Sequence, residues 1–350
     1  MNEHSWSLQC PVPQEIGDRV QLAHGEGGRM TRRLIQSRVV PRFANPLLQS
    51  LGDSTLLPEI AGPLAFTTDS FVVTPLFFPG GDIGKLAVYG TVNDLVVAGA
   101  KPLWLSLSLI VEEGLPMSLL ERVLDSIQSA AAAEGVSIVT GDTKVVPRGA
   151  ADKLFINTSG LGQLHWPAPA GPQSLVPGDV VLVSGPLAEH GLAVLAEREG
   201  LQLDPAPHSD CGSLAPVAAA LRAAGIPVKS MRDATRGGLA AVLHEWSEAS
   251  GHSIRVEESS LPVRPHVRGA CELLGIDPLF IANECVMVVG LPAEAAPIAI
   301  EQLRLHADSH WAATVARVVD RQAAPVTIQR AFGPELALDE PPGSPLPRIC

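Results

Sequence analysis

The stretch Val136-Ser-Ile-Val-Thr-Gly-Asp-Thr-Lys-Val-Val146 decides how this chain is read. Both flanks have the β-branched, apolar content of buried strands. Between them Gly141, Asp142, Thr143 and Lys144 are polar and unsuited to a core. Glycine permits an abrupt backbone turn, aspartate can hold Mg2+, and lysine meets a phosphate as a point charge. A plain hairpin would carry Asp-Gly rather than Gly-Asp. The expectation is therefore two buried strand segments around a polar, functional turn.

Working outward, residues 154–164 read as another strand, 117–133 as an amphipathic helix and 103–111 as a strand. Further upstream, Pro79-Gly-Gly-Asp-Ile-Gly84 is a turn that opens a helix to about residue 98. Ile83, Ala87, Gly90, Asp94 and Ala98 share one face of it at spacings of three or four. A carboxylate on such a stripe is costly unless paired or bound to a cation, which marks Asp94 and its neighbour Asn93. Residues 65–73 form a strand interrupted by Asp69, read either as a hydrogen-bond acceptor at a bulge or as a metal ligand. Before it, His24-Gly-Glu-Gly-Gly28 precedes a helix-like run over 30–39. Glycine-rich turns before helices can wrap phosphate, although the P-loop Gly-Lys-Ser/Thr ending is missing and an ordinary turn remains open.

After residue 164, a Pro-, Gly- and Ala-rich stretch over 165–177 reads as a domain boundary. A second alternation follows: strand 178–185, a helix opened by His190 and Gly191, a helix over 211–224, and an Ala-rich helix after Met231-Arg-Asp-Ala-Thr-Arg-Gly-Gly-Leu239. Asp233 or Thr235 would cap that last helix. Strands at 253–257, 286–290 and 314–319, with helices at 265–274 and 293–303, complete the layer. Glu284, beside Asn283 at a strand entrance, is a candidate acid or base. The expected organisation is an extension (1–20), an N-terminal domain (21–164), a linker (165–177), a second α/β domain (178–331) and a tail (332–350).

The chain ends Pro347-Arg-Ile-Cys350, after Pro341, Pro342 and Pro345. Proline has no amide donor and a fixed φ, so this run reads as a semi-stiff arm with a thiol at its tip. From Phe332 the arm would span roughly 60 Å at about 3.3 Å per residue. A frayed terminus that happens to end in cysteine is the bland alternative.

Composition bounds the function. The chain has 350 residues, 46% of them hydrophobic, which fits two packed domains. Its formal charge of −12 argues against nucleic acid as a partner. Nothing reads as a membrane span, and residues 1–14 do not read as a signal peptide. The five cysteines are scattered with no C-x-x-C pair, which is consistent with a reducing cytoplasm and offers no structural zinc signature.

Taken together, these stretches resemble the HypE family, the carbamoyl dehydratases of NiFe-hydrogenase maturation, within the AIR-synthetase (PurM-like) ATP-binding superfamily. The matching stretches are His24–Gly28, Thr67-Thr-Asp-Ser70, Pro79-Gly-Gly-Asp-Ile-Gly-Lys85, Asn93-Asp94, Gly141-Asp-Thr-Lys-Val-Val146, Arg232-Asp-Ala-Thr-Arg-Gly-Gly238, Ala282-Asn-Glu284 and Pro347–Cys350, in family order. The resemblance implies a two-domain α/β (α+β) PurM-like fold with a flexible C-terminal tail. It also implies a homodimer that binds ATP between its N-terminal domains. Magnesium would be held by Asp69, Asp94 and Asp142. ATP would be contacted by Lys144, with Asn93, Gly141 and Thr143 nearby. Cys350 would carry a carbamoyl group placed there by a HypF-type partner. ATP would phosphorylate the carbamoyl oxygen, Glu284 would take a proton from the nitrogen, and the resulting cyanide would pass to a HypC–HypD complex.

Phosphorylation turns a poor leaving oxygen into a good one, and the transfer needs neutralised charge, which suits several carboxylates and one lysine. His190 is the second candidate base. Two positions depart from the family pattern: Cys285 where glycine is usual, and Glu26 where serine is common. An acidic group beside phosphates is unfavourable, so Glu26 is expected to face solvent. A sister ATP enzyme such as a selenophosphate synthetase, or a non-catalytic thiol carrier, remains open at this point.

Overall fold

A computed structural model of the chain describes residues 17–49, 51–306 and 309–341. The N-terminal half is built on a four-stranded sheet in the order β1-β6-β4-β5. Its strands are β1 (Leu64–Phe71), β4 (Ala100–Glu112), β5 (Ser137–Val146) and β6 (Leu154–Leu164), and β2 (Phe77–Phe78) and β3 (Gly81–Asp82) form a small hairpin beside it. Only β4 and β5 run parallel, because the helix between them, α4 (Met117–Glu134), makes the crossover. Apolar residues of α4 at helical spacing, Leu120, Val123, Leu124, Ile127 and Ala131, are buried, and Gly135 ends it at φ 64°. Ahead of the sheet lie α1 (Arg29–Leu34), a π-helical turn (Ile35–Val39) and α2 (Val40–Phe43).

The central helix, α3 (Ile83–Val97), is buried on nearly every side, the pattern of a helix packed between layers. Asp82 caps it, accepting from the Gly84 and Lys85 amides at 2.8 and 3.1 Å and from Ser126 Oγ at 2.6 Å.

The polar stretch 141–144 is not a turn. β5 runs through it unbroken as an edge strand. Leu105 pairs with Ile138 and Ser106 with Thr140, so Val139 is an extra residue. This bulge buries the consecutive Ile138 and Val139 (4% and 5% exposed) and re-aims everything after them. Gly141 is needed for close approach rather than for a turn: a Cβ there would stand 2.1 Å from the Leu107 carbonyl oxygen.

The second half is a seven-stranded sheet ordered β13-β12-β9-β11-β7-β10-β8. Its strands are β7 (Val180–Val183), β8 (Ser230–Asp233), β9 (Ser253–Glu257), β10 (Met287–Leu291), β11 (Ala313–Val319), β12 (Val326–Gln329) and β13 (Glu335–Ala337). Alternation sends Val181, Val183 and Val288 to one core, packed by α7 (Gly238–Ser250) and α8 (Pro265–Leu274). Val180, Leu182, Met287 and Val289 enter the other core, with α6 (Ala215–Ala223) and α9 (Ala296–Arg304). That core is continuous with the N-terminal one, and α5 (Glu189–Glu199) sits at the junction.

Three further sequence expectations are corrected here. The helix expected from residue 211 begins at Ala215, because Asp210, Gly212 and Leu214 are tied to other segments and Pro216 sits in its first turn. Neither Asp233 nor Thr235 caps α7; its N-cap is Gly237, at φ 76°. The segment after Phe332 is not wholly a free arm. β13 pairs with β12, the Leu338 amide donates to the Val326 carbonyl, and His244 Nε2 lies 3.1 Å from the Leu338 carbonyl oxygen. Among the described residues no helix is long and apolar enough to cross a membrane.

Candidate functional site

Where the two halves meet, a cavity of about 430 Å³ is lined by Asp69 of β1, Asp94 of α3, Asp233 of β8, Arg236 of the turn before α7, and Glu284 of the loop entering β10. Thr67 Oγ1 donates to Asp94 Oδ2 at 2.7 Å, fixing that carboxylate. Burial, then the charges of Asp94 and Asp233, push Asp69 up to about 7. Burial and then Asp94 raise Asp233 to about 6, against the opposing pull of Arg232 and Arg236. Glu284 is only 3% exposed. Its carboxyl is pushed well above 4.5, first by burial and then by Asp210, Asp233 and Asp69, with Arg236 pulling the other way.

The loop that holds Glu284 is tied down from several sides. Asp210 accepts from the Glu284 and Cys285 amides at 3.1 and 3.0 Å. Asn283 donates to the Ala234 and Ile281 carbonyls and accepts from the Ala188 amide at 2.7 Å. Asn93 is fully buried; its Nδ2 donates to the Gly212 and Glu284 carbonyls, and its Oδ1 accepts from the Leu214 amide. Cys285 turns away from the Glu284 side chain, its thiol donating to the Ser213 carbonyl at 3.3 Å.

A second cavity, of about 520 Å³, lies between the glycine-rich loop, α1–α2 and the helix-side face of β5. Gly25 lies directly on β5, where a Cβ would meet the Val145 amide at 2.2 Å. Gly27, at φ 77°, and Gly28 look onto open space. Ile35, Val39 and Phe43 line the apolar side, and residues 140–144 the polar one. Glu26 is exposed, as the charge argument requires.

The expected site residues thus divide. Asp69, Asp94 and Glu284 share one cavity, while Gly141, Asp142, Thr143 and Lys144 border the other. Asn93 lines neither; it is a buried bracket between segments rather than a ligand-facing amide. The register Asp69–Thr158–Leu107–Gly141 places β1 and β5 at opposite edges, roughly 14 Å apart at about 4.8 Å per strand. Along β5, Asp142 and Lys144 alternate to the face opposite Asp69. Asp142 therefore cannot share one cation with Asp69 and Asp94 of its own chain. Among the described residues no group of three or more His, Cys, Asp or Glu side chains is arranged to hold a metal. Cys350 lies outside the described residues. Sequence reasoning did not assign Asp233, Arg236, Asp210 or Ser209 to the site. For Asp233 the signal was present, in an Asp-x-Thr-x-Gly-Gly pattern at a helix start, but a helix cap explained it equally well.

Comparison with known proteins adds the following. The family model for the AIR synthase related protein N-terminal domain matches residues 53–164, and that for the corresponding C-terminal domain matches 176–329. Carbamoyl dehydratase HypE of Escherichia coli (strain K12) is 48% identical over 343 residues, covering 95% of this chain and 100% of that protein. A crystal structure of hydrogenase maturation protein HypE in complex with ATP superposes with a TM-score of 0.89 at 44% identity, covering 94% of this chain and 99% of that one. A crystal structure of a HypE–HypF complex gives a TM-score of 0.77 at 44% identity, covering 88% and 99%.

Proposed function

The chain belongs to the HypE family of carbamoyl dehydratases, and from that premise we propose that it dehydrates an S-carbamoyl group on Cys350 to a thiocyanate at the expense of ATP. The observation that carries this reading is Glu284: a buried carboxyl with a raised pKa, facing a cavity that Asp69, Asp94 and Arg236 also line. Such a carboxylate suits proton abstraction near neutral pH. The carbamoyl oxygen attacks the γ-phosphorus and ADP leaves. The nitrogen gives up one of its two protons to water as the O-phosphorylated imidate forms; Glu284 then takes the second, and the electron pair left there completes the C≡N bond as the C–O bond breaks and phosphate departs. The last described residue, Pro341, lies 3.6 Å from where a Cβ on Gly237 would stand, beside Arg236. Nine further residues reach Cys350, a span of up to roughly 30 Å, enough to enter this cavity.

The second cavity suits the nucleotide, with apolar walls for a base and open glycine amides for phosphates. Asp69 and Asp94 suit Mg2+, which typically takes one or two carboxylates and completes its shell with water and phosphate oxygens. The metal would neutralise phosphate charge. The distance between the two groups of residues within one chain is resolved if a homodimer sets Asp142 and Lys144 of one protomer against the Glu284 cavity of the other. The open face of the N-terminal sheet, where Phe66 is 69% and Leu64 49% exposed, is consistent with a partner there. A HypF-type carbamoyltransferase would load Cys350, and a HypC–HypD complex would accept the cyanide. The test is intact mass: the S-carbamoylated full-length chain should lose one water on adding ATP and magnesium. Wild-type ATP turnover in Lys144→Ala or Asp94→Asn would remove the proposed nucleotide and metal sites.

A further inference from the structure

A buried polar group next to Glu284 lines neither cavity and has no part in the chemistry above. His190, in the first turn of α5, is fully buried. Its Nε2 is 3.7 Å from Glu284 Oε1, and its Nδ1 is 2.8 Å from Ser209 Oγ. The ring stands edge-on to Phe78, centroids 5.5 Å apart, which restricts its tilt. Ser209 is itself anchored: its amide donates to the Pro79 carbonyl and its Oγ accepts from the Cys211 amide at 3.0 Å. The Ser209 hydroxyl keeps its own proton to donate to Nδ1, and in the tautomer that accepts it the imidazole proton is on Nε2, facing Glu284.

The charges around Glu284 call for such a donor. Asp69 comes from β1, Asp233 from β8 and Asp210 from the loop before α6, next to the Cys211 thiol that burial keeps neutral, while Arg236 is the cation that opposes them. Glu284 and Asp210 are among the charged groups around His190. In that company the charged form of the Glu284 carboxyl is favoured by any hydrogen bond made to it.

We propose that His190, oriented by Ser209, is a positioning residue for the dehydration, donating from Nε2 to the Glu284 carboxylate so that it is ionised and aimed when the carbamoyl nitrogen arrives. The 3.7 Å separation is the open form of a contact that tightens when the cavity fills. The proposal rests on the reading of Glu284 as the base.

The test is single-turnover loss of water from S-carbamoylated full-length protein, followed by intact mass across pH 6–9, with ATP affinity measured in parallel. His190→Phe keeps an aromatic ring against Phe78 but has no donor. Losing one charge-assisted hydrogen bond should move the rising limb of the rate to higher pH by about one to two units, slowing the reaction about 10- to 100-fold at pH 7. His190→Gln, with an amide donor, should recover part of that loss, and Ser209→Ala should shift the limb in the same direction by less. ATP affinity should not change. A wild-type rate in His190→Phe overturns the proposal, as does equal slowing in His190→Phe and His190→Gln with no shift of the limb. If His190→Phe does not fold, an unshifted limb in Ser209→Ala overturns it as well. Glu284→Gln separates the two readings: if it is inactive at every pH while His190→Phe is normal, only the role of His190 fails, and if it is fully active the base assignment itself fails.

Discussion

Replacing Asn93 with alanine removes three hydrogen bonds at once: Nδ2 to the Gly212 carbonyl (3.0 Å), Nδ2 to the Glu284 carbonyl (3.1 Å), and the Leu214 amide to Oδ1 (2.8 Å). Asn93 is 0% exposed, so solvent does not replace them without entering the interface between the halves. Each buried group left unpaired costs about 1–3 kcal/mol, and a water in the vacated amide space would recover part, leaving a net loss of roughly 4 kcal/mol. At about 2.1 cal/mol/K per residue, a 350-residue chain should then melt about 5 °C lower. Asn93→Asp should be worse at neutral pH, because a carboxylate oxygen then faces two carbonyl oxygens. Because one lost bond holds the backbone of Glu284, dehydration should slow about 10- to 100-fold in Asn93→Ala, while nucleotide affinity stays near wild type. Calorimetry and single-turnover mass spectrometry read the two effects. A melting temperature within 1 °C of wild type in Asn93→Ala, or Asn93→Asp as stable as Asn93→Ala, would refute the bracket argument.

Other expectations follow from separate features. Gly141→Ala should cost about 2–4 kcal/mol, read by denaturant unfolding, because its Cβ cannot stand 2.1 Å from the Leu107 carbonyl oxygen without parting β4 from β5. If the proposed homodimer shares its sites, mixing Lys144→Ala with Glu284→Gln protein should restore activity that neither has alone, since one site of the mixed dimer would be intact; no recovery after subunit exchange counts against a shared site. Burial raises Glu189 from 4.5 to about 7, despite Arg264 at 3.1 Å. A carboxyl raised on folding holds its proton more tightly in the folded state. Its contribution is therefore complete below 4.5 and is lost as pH climbs through 7, at up to about 1.4 kcal/mol per pH unit. Glu189→Gln should flatten the fall in stability over that window, measured by urea midpoints. Cys350→Ser should bind ATP normally but never show the loss of water, since a hydroxyl lacks thiolate nucleophilicity near neutral pH.

The division of labour between sequence and tertiary structure is clearest at particular residues. Local chemistry alone marked α3 and α4 by apolar spacing and β1 by β-branched and aromatic content. The order of short polar motifs from His24 to Cys350 was enough to identify the family, because each is an uninterrupted run of neighbours. What spacing could not reveal was direction. The bulge at Val139 exists only because β5 pairs with β4, so a count along the chain could not show that Asp142 and Lys144 face away from Asp69. Nor could it show that β1 and β5 end at opposite edges of the sheet, which separates carboxylates that look equivalent in sequence. Asp233 looked like a cap because a cap and a cavity wall require the same residue type at the same place. His190, the Ser209–Asp210 pair and Glu284 come from separate stretches of the chain, and their polar groups act on one another only after packing removes the water between them. Strand propensity, periodicity and motif order are set by neighbouring residues, so the sequence by itself determined the fold class and the family; register, burial and the field at Glu284 are set by segments that meet only on folding, so the tertiary structure alone decided which side chains act together.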